Sequence, residues 1–345
     1  MDGIKWIKVT KENVDIYGVD ENFRRMPEDI AKNVSMDVYN LMKHAAGGRI
    51  RFATNSTRVF VRADVSGSSE MINPDLYRLE YGREIFVTGY RHLTGKRMVN
   101  GKYETREKET RVGNGGREGC YTLNLTQSGI YGNVEIGIDE NATLSKGAPY
   151  INEKPVVFYG SSITHGFSAS RAGMTYEALI SQKYNLNYIN LGFSGAAKGE
   201  QTMAEYIGSL DMSAFVLDYD HNAYEDGQLE ATHLPFYKTI REKNPDLPII
   251  MVSRPDFWTS PVANQKRVET IYRTYEYAVA NGDKNVYFIN GKTLFSGDYY
   301  HNCTEDGCHP NDLGMYRMAS VIGPVVAKAM GLCDVDAKHD YEMYI

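Results

Sequence analysis

The sequence predicts an α/β protein in two parts: an antiparallel β-sandwich over residues 1–150, then a parallel sheet covered by helices over 151–345. Three observations predict it. Before residue 150, apolar residues alternate with period two, in short runs separated by polar, glycine-rich turns, as in antiparallel strands with one buried face. After residue 150, short apolar runs alternate with stretches of helical period, which implies parallel strands whose connecting helices cover both faces. At 345 residues the chain also exceeds what one hydrophobic core comfortably supports.

The first predicted element is a helix over Met36–Ala46, stopped by Gly47-Gly48. Ile50 and Phe52 lead into a strand. Val59, Val61, Ala63 and Val65 share one face of the next, with Arg58, Arg62 and Asp64 on the other, and the Asn55-Ser56 turn between them predicts a hairpin. Tyr121, Leu123 and Leu125 alternate again, as do Val134, Ile136 and Ile138. The second part offers strands at Val156–Tyr159, Tyr188–Leu191, Ala214–Asp218, Ile249–Ser253 and Val286–Asn290. Helices are predicted at Met174–Tyr184, Gln201–Leu210, within Leu229–Lys243, at Gln265–Asn281 and at Leu313–Met330.

Composition narrows the function. A net charge of −6 with no Lys/Arg cluster argues against nucleic acid or an anionic membrane as partner. No apolar run approaches the ~20 residues that span a bilayer. The opening Met1-Asp2-Gly3-Ile4-Lys5-Trp6 has no charged-then-apolar leader, which predicts a cytoplasmic protein. Four cysteines are too few for a disulfide scaffold at this length, and Cys120 and Cys333 read as isolated thiols. Cys303 and Cys308 bracket Asp306 and could brace that turn as a disulfide in an oxidising compartment; reduced thiols are expected here.

Active sites in parallel sheets lie at the carboxyl ends of the strands, so the residues after each strand carry the functional reading. After the first comes Gly160-Ser161-Ser162-Ile163-Thr164-His165-Gly166, which offers Ser162 as a nucleophile on a tight turn. It lacks the Gly-Lys-Ser/Thr ending of a phosphate loop. After the second comes Asn190-Leu191-Gly192-Phe193-Ser194-Gly195-Ala196. Its glycines either aim a backbone N–H at a developing oxyanion or simply permit a tight turn. It also holds a rival serine, Ser194, in a near miss to the Gly-x-Ser-x-Gly elbow.

After the third strand, Asn222 can donate its amide to an oxyanion, while Asp220 and His221, as neighbours, tend to point apart. Arg254 follows the fourth, placed either to touch an acidic or hydroxylated substrate or to pair with a nearby carboxylate. After the fifth lie Asp306 and His309, three positions apart. The carboxylate can orient the imidazole so that its other nitrogen acts as base towards a serine. A metal reading of His301, Cys303, Cys308 and His309 fails on spacing, because Cys308 and His309 are adjacent and neither half matches a zinc pair. No metal or cofactor is expected.

Taken in order, these blocks resemble the SGNH (GDSL-type) hydrolase superfamily. Ser162, Gly195, Asn222 and His309 match its four namesake residues and Asp306 the acid of its Asp-x-x-His block; Ser161 stands where the family often has Asp. The resemblance covers roughly residues 155–330 and implies a flavodoxin-like three-layer α/β/α domain with a five-stranded parallel sheet. It also assigns the nucleophile to Ser162 rather than Ser194, and the oxyanion hole to the N–H groups of Ser162 and Gly195 with the Asn222 amide. Asn73-Pro74-Asp75-Leu76-Tyr77 is similar to the Gly-x-Asp-Leu-Tyr signature of a bacterial subgroup with a β-rich N-terminal domain, with Asn replacing Gly. That subgroup resembles carbohydrate esterases, which implies removal of small acyl groups from a sugar. The same triad would also serve an acyltransferase, and an inert hydrolase half would leave a carbohydrate-binding protein. Oligomeric state is not legible.

Overall fold

The computed structural model describes residues 3–67, 74–90, 97–99, 102–104, 108–111, 115–223 and 227–332. The N-terminal part contains β1 (Ile4–Lys8), β2 (Asp15–Tyr17), α1 (Glu28–Val34), α2 (Met36–Leu41), β3 (Arg49–Thr54), β4 (Arg58–Gly67), β5 (Asp75–Glu80) and β6 (Arg83–Gly89). It continues with β7 (Arg97–Val99), β8 (Lys102–Glu104), β9 (Lys108–Arg111), β10 (Gly119–Asn124), β11 (Gly129–Asp139) and β12 (Leu144–Lys146). One antiparallel sheet runs β1-β11-β4-β9; the other runs β12-β3-β10-β5-β6 with β2 added to β3, and β7 and β8 form a separate ribbon. The alternating residues of the sequence meet between the two sheets: Ile50, Phe52, Tyr121 and Leu123 against Val59, Val61, Ile136 and Ile138.

The hairpin predicted across Asn55-Ser56 does not form. β3 pairs with β10, β12 and β2, whereas β4 pairs with β11 and β9, so the residues between them carry the chain from one sheet to the other. A tight hairpin turn favours positive φ, usually with glycine, and this link has none. Asp139 at the end of β11 fastens the crossing instead. Its carboxylate accepts from Ser56 Oγ, Thr57 N and Thr57 Oγ1, each at 2.9 Å, and from Arg58 Nε at 2.8 Å. Partial burial pushes that carboxyl up, but these donors outweigh it and hold it far below the usual range.

The helix predicted over Met36–Ala46 ends at Leu41, well before the glycines. Arg25 accounts for the early stop: its Nη2 donates to Leu41 O at 2.6 Å and its backbone N to Met42 O at 3.1 Å, satisfying carbonyls that a longer helix would use. α1 is an addition to the prediction; its apolar face is short, only Ile30, Ala31 and Val34, and it packs on the core of the second part.

The second part alternates β13 (Asn152–Gly160), α3 (Ser162–His165), α4 (Tyr176–Tyr184), β14 (Leu186–Gly192), α5 (Gln201–Gly208), β15 (Ala214–Asp218) and α6 (Gln228–Lys243). It closes with β16 (Ile249–Val252), α7 (Pro261–Ala280), β17 (Val286–Ile289) and α8 (Asp312–Ala329). α7 starts four residues earlier than predicted because Pro261 suits the first helical turn. The five strands are parallel in the order β14-β13-β15-β16-β17, the flavodoxin-like order. α5, α6 and α7 cover one face and α3, α4 and α8 the other. Met26, Ala31, Val38 and Met42, from the N-terminal segment, join the first of these cores beside Leu191, Phe193 and Ile207. Among the described residues no helix is long and apolar enough to cross a membrane.

A buried polar layer underlies the carboxyl ends of β13, β14 and β15. Asn190 Nδ2 reaches Glu177 Oε1 at 3.4 Å, and Tyr176 OH reaches Thr164 Oγ1 at 3.2 Å and Asp218 Oδ2 at 3.3 Å. Glu177 is fully buried, and that burial raises its pKa to about 8. Native Glu177 therefore keeps a proton that the unfolded chain loses near pH 4.5. Its stabilising contribution is complete below that pH and is lost as pH rises through about 8. Glu177→Gln, which stays neutral, is expected to remove a fall of up to about 1.4 kcal/mol per pH unit across that window. Urea denaturation of both proteins at pH 5, 7 and 9 checks this; parallel pH profiles would contradict it.

Candidate active site

The sheet order reverses between β14 and β15 on either side of β13, and the loops leaving these three strands converge there. Ser162 is the first residue of α3, directly after β13. Ser161 caps that helix by accepting from Ile163 N, and Gly166 closes it at φ +96°. The short helix fixes Ser162 at the rim of the sheet, 7% exposed.

Asp306 and His309 come from the loop ahead of α8. Asp306 Oδ1 accepts from Cys308 N at 2.9 Å and His309 N at 2.7 Å, and Oδ2 bonds His309 Nδ1 at 2.7 Å. Burial raises its pKa, but the two amides and the ring outweigh that and bring it to about 2. The ionised carboxylate can only accept, so Nδ1 carries the ring proton and Nε2 presents a lone pair. That lone pair faces Ser162 Oγ at 2.8 Å. The ring can thus take the serine proton. Phe167 packs against the imidazole with centroids 5.6 Å apart. Asp312 ties this loop to the one after α3, accepting from Ser170 N at 2.8 Å and Ser170 Oγ at 2.6 Å.

Gly195 sits in the turn after β14 at φ +70°, a left-handed conformation suited to glycine. Asn222 closes the turn after β15, where Arg267 Nη1 donates to Asp220 O and to Ala223 O, the latter at 2.7 Å. Asn222 Oδ1 is buried without a partner, and among the described residues no acceptor takes its Nδ2 or the N–H groups of Ser162 and Gly195. The loops of three neighbouring strands therefore bring donors with no internal acceptor to one strand edge. Such donors can receive a developing negative charge.

Arg254 is held by a carboxylate, the second of the two readings its position allowed. Its Nε lies 2.5 Å from Asp256 Oδ1 and its Nη2 also pairs with Asp256. Its backbone N donates to Asp220 Oδ2 at 3.2 Å, so the residue joins the loops after β15 and β16. His221 lies beside this pair, with Nδ1 3.8 Å from Asp256 and Nε2 3.0 Å from Cys308 Sγ. Ligand-type atoms of His221, Asp256 and Cys308 fall within 4.8 Å of one another. Arg254, however, binds both Asp256 oxygens and sets a positive charge where a cation would need to sit. Asp306, Cys308 and His309 form a second such group, and His301 and Cys303, from the metal reading, are in neither among the described residues. Cys120, Cys303 and Cys308 are free thiols; Cys333 lies outside the described residues. Burial first, then Asp256 and Asp306, push Cys308 up to about 11.

The aspartate of the Asn73–Tyr77 segment has a structural task beside the site; Asn73 itself lies outside the described residues. Asp75 is fully buried and accepts from Asn124 Nδ2 at 2.9 Å, Gly173 N at 3.0 Å and Arg171 Nη1 at 2.6 Å. Tyr77 OH contacts the same Arg171. The N-terminal sheet thereby holds the segment between α3 and α4. Sequence reasoning passed over these anchors, because Asp75 and Tyr77 reach Arg171 and Gly173 over more than ninety positions, in a segment without periodicity.

Comparison with known proteins identifies relatives of this fold. Residues 153–327 match the GDSL-like lipase/acylhydrolase family, and residues 4–144 match the GxDLY N-terminus of SGNH-type esterases. A GDSL-like lipase from Bacteroides ovatus ATCC 8483 is 29% identical over 96% of this chain and 99% of its own, with a TM-score of 0.84. A salicylyl-acyltransferase from a tetracycline biosynthetic pathway shares the fold at 20% identity, 97% and 100% coverage and TM-score 0.74. So does a family two carbohydrate esterase from Clostridium thermocellum, solved with cellohexaose, at 14% identity, 83% and 93% coverage and TM-score 0.59. No curated protein matches the sequence. With half its length matched by the family and an esterase N-terminus before it, the chain belongs to the GDSL-like lipase/acylhydrolase family.

Proposed function

We propose that this esterase removes small acyl groups, acetyl foremost, from a carbohydrate through an acyl-serine intermediate. The observation that carries the mechanism is the unbroken chain of contacts from Ser162 through His309 to Asp306, at 2.8 and 2.7 Å. His309 takes the Ser162 proton as Oγ attacks the ester carbonyl. The N–H groups of Ser162 and Gly195 and the Asn222 amide receive the oxyanion. His309 then protonates the departing alcohol, and the same ring activates water to release the acid.

The carbohydrate reading is supported by fold relatives named as carbohydrate esterases, among them an acetyl xylan esterase from Butyrivibrio proteoclasticus. Exposed aromatics on the same rim favour it as well. Trp258 and Tyr300, from the loops after β16 and β17, bring their rings within 6.3 Å, a surface on which a sugar can stack. Acyl transfer is the second reading, favoured by the fold shared with a salicylyl-acyltransferase. Water and acceptor alcohol compete for one acyl-enzyme, so the product ratio separates the two.

The test is hydrolysis of p-nitrophenyl acetate and butyrate, then of acetylated xylo- and cello-oligosaccharides. Acetate release is followed with and without added alcohol. Faster turnover of acetyl than butyryl esters, with sugar acetates cleaved, is the expected result. Turnover of nitrophenyl esters with sugar acetates left intact would overturn the carbohydrate assignment. Ester products in place of free acetate would assign acyl transfer.

A further inference from the structure

The turn that carries Gly195 is gripped by a buried histidine outside the Ser162–His309–Asp306 set. His165 is the last residue of α3 and is fully buried. Its Nε2 lies 2.8 Å from the carbonyl of Gln127, in the link between β10 and β11 of the N-terminal part. A carbonyl only accepts, so Nε2 must carry the ring proton and Nδ1 must be an acceptor. Ser194 Oγ sits 2.9 Å from Nδ1 and donates to it. Burial, then Arg25 and His44, keep the ring neutral.

Other contacts hold the same turn. Arg25 Nη1 donates to Gly192 O at 2.5 Å, and its guanidinium lies 4.5 Å from the centre of the Phe193 ring. Gln127 Nε2 also donates to Gly166 O at 3.3 Å. The turn and α3 approach so closely that a Cβ on Gly192 would come within 2.2 Å of His165 N. Gly195, one residue beyond Ser194, has nothing within 4 Å of where a Cβ would stand. The Phe193 carbonyl closes the turn by accepting from Ala196 N at 2.9 Å and Ala197 N at 3.1 Å, and the Ser194 hydroxyl, next to Gly195, ties that closed turn to α3 through a side chain.

We propose that His165 is a positioning residue: oriented by the N-terminal part through the Gln127 carbonyl, it holds Ser194 and so aims the Gly195 N–H at the oxyanion formed on Ser162. The inference rests on the esterase reading for its effect on turnover. It gives the β-rich part a share in transition-state stabilisation, and it gives Ser194 a task other than nucleophile.

The full-length chain is compared with Ser194→Ala, His165→Leu, the double variant and His165→Asn, whose Oδ1 falls near the place of Nδ1. With p-nitrophenyl acetate, Ser194→Ala and His165→Leu are each expected to lower kcat by about 10–100-fold, with KM held within about twofold. The double variant is expected to lose no more than His165→Leu alone, since both remove one contact. His165→Asn should recover most of the rate. A fluorophosphonate should still label Ser162 in every variant. Wild-type kcat in Ser194→Ala, or losses that multiply in the double variant, would overturn the relay while leaving the esterase reading intact. Hydrogen exchange of the peptide containing residues 193–197 reads the anchor without turnover. It should quicken in Ser194→Ala, and unchanged protection would also overturn the proposal. Should the wild type cleave no ester, the esterase reading falls and the exchange result still decides the anchor.

Discussion

Alanine at Ser162 is expected to reduce kcat for ester hydrolysis by about a millionfold, to the level left by binding and oxyanion contacts alone. Among the described residues, the serine hydroxyl is the only acyl-accepting group that His309 Nε2 touches, at 2.8 Å. The rival serine has another partner: Ser194 bonds His165, a buried ring kept neutral, rather than a base oriented by a carboxylate. Its removal should therefore cost about 10–100-fold, not a millionfold. Kinetics on p-nitrophenyl acetate, with circular dichroism confirming the fold, separate the two serines by several orders of magnitude. Equal losses, or a dead Ser194→Ala beside an active Ser162→Ala, would reverse the assignment.

Asn222→Ala is expected to lower kcat by about 10²–10³-fold, or ~2.7–4 kcal/mol of barrier, with little change in KM. Among the described residues its Oδ1 is buried without a partner and no acceptor takes Nδ2, so the amide does little for the resting fold and its value lies in the transition state. Asn222→Asp, nearly the same shape but bearing a charge that repels the oxyanion, should be worse than alanine. Stability in urea should change far less than rate in both variants. If both variants lose stability in proportion to activity, Asn222 is a structural turn residue and the oxyanion rests on backbone amides alone.

The parallel sheet was legible because each of its strands is a short apolar run followed by a helical pattern. Predicted Ala214–Asp218 coincides with β15, every residue of which is buried. The pairing of Asp306 with His309 was legible for a similar reason: both lie on one tight turn, and local spacing determines their contact. Serine 162 needed the order of blocks along the chain, since a serine-rich turn by itself carries little information. What escaped was non-local. The strands on both sides of Asn55-Ser56 alternate as a hairpin would, yet Asp139, over eighty residues away, decides that they part into different sheets. Gln127 and His165 show no pattern in sequence, because their bond joins a loop to the end of a short helix and is defined by the packing of one part of the chain on the other.

Arg25 carries a consequence for how the protein is made. It lies near the amino terminus, yet its guanidinium is buried against Asn190 and Gly192, 165 and 167 residues further on. Burial alone lowers its pKa to about 9. A ribosome must therefore extend the chain past Gly192 before this arginine and the helices beside it find their partners. Until then Met26, Val38 and Met42 have no core to enter. A hydrolase half expressed alone would lack Met26, Ala31, Val38 and Met42 from its core and leave an open groove where this segment belongs.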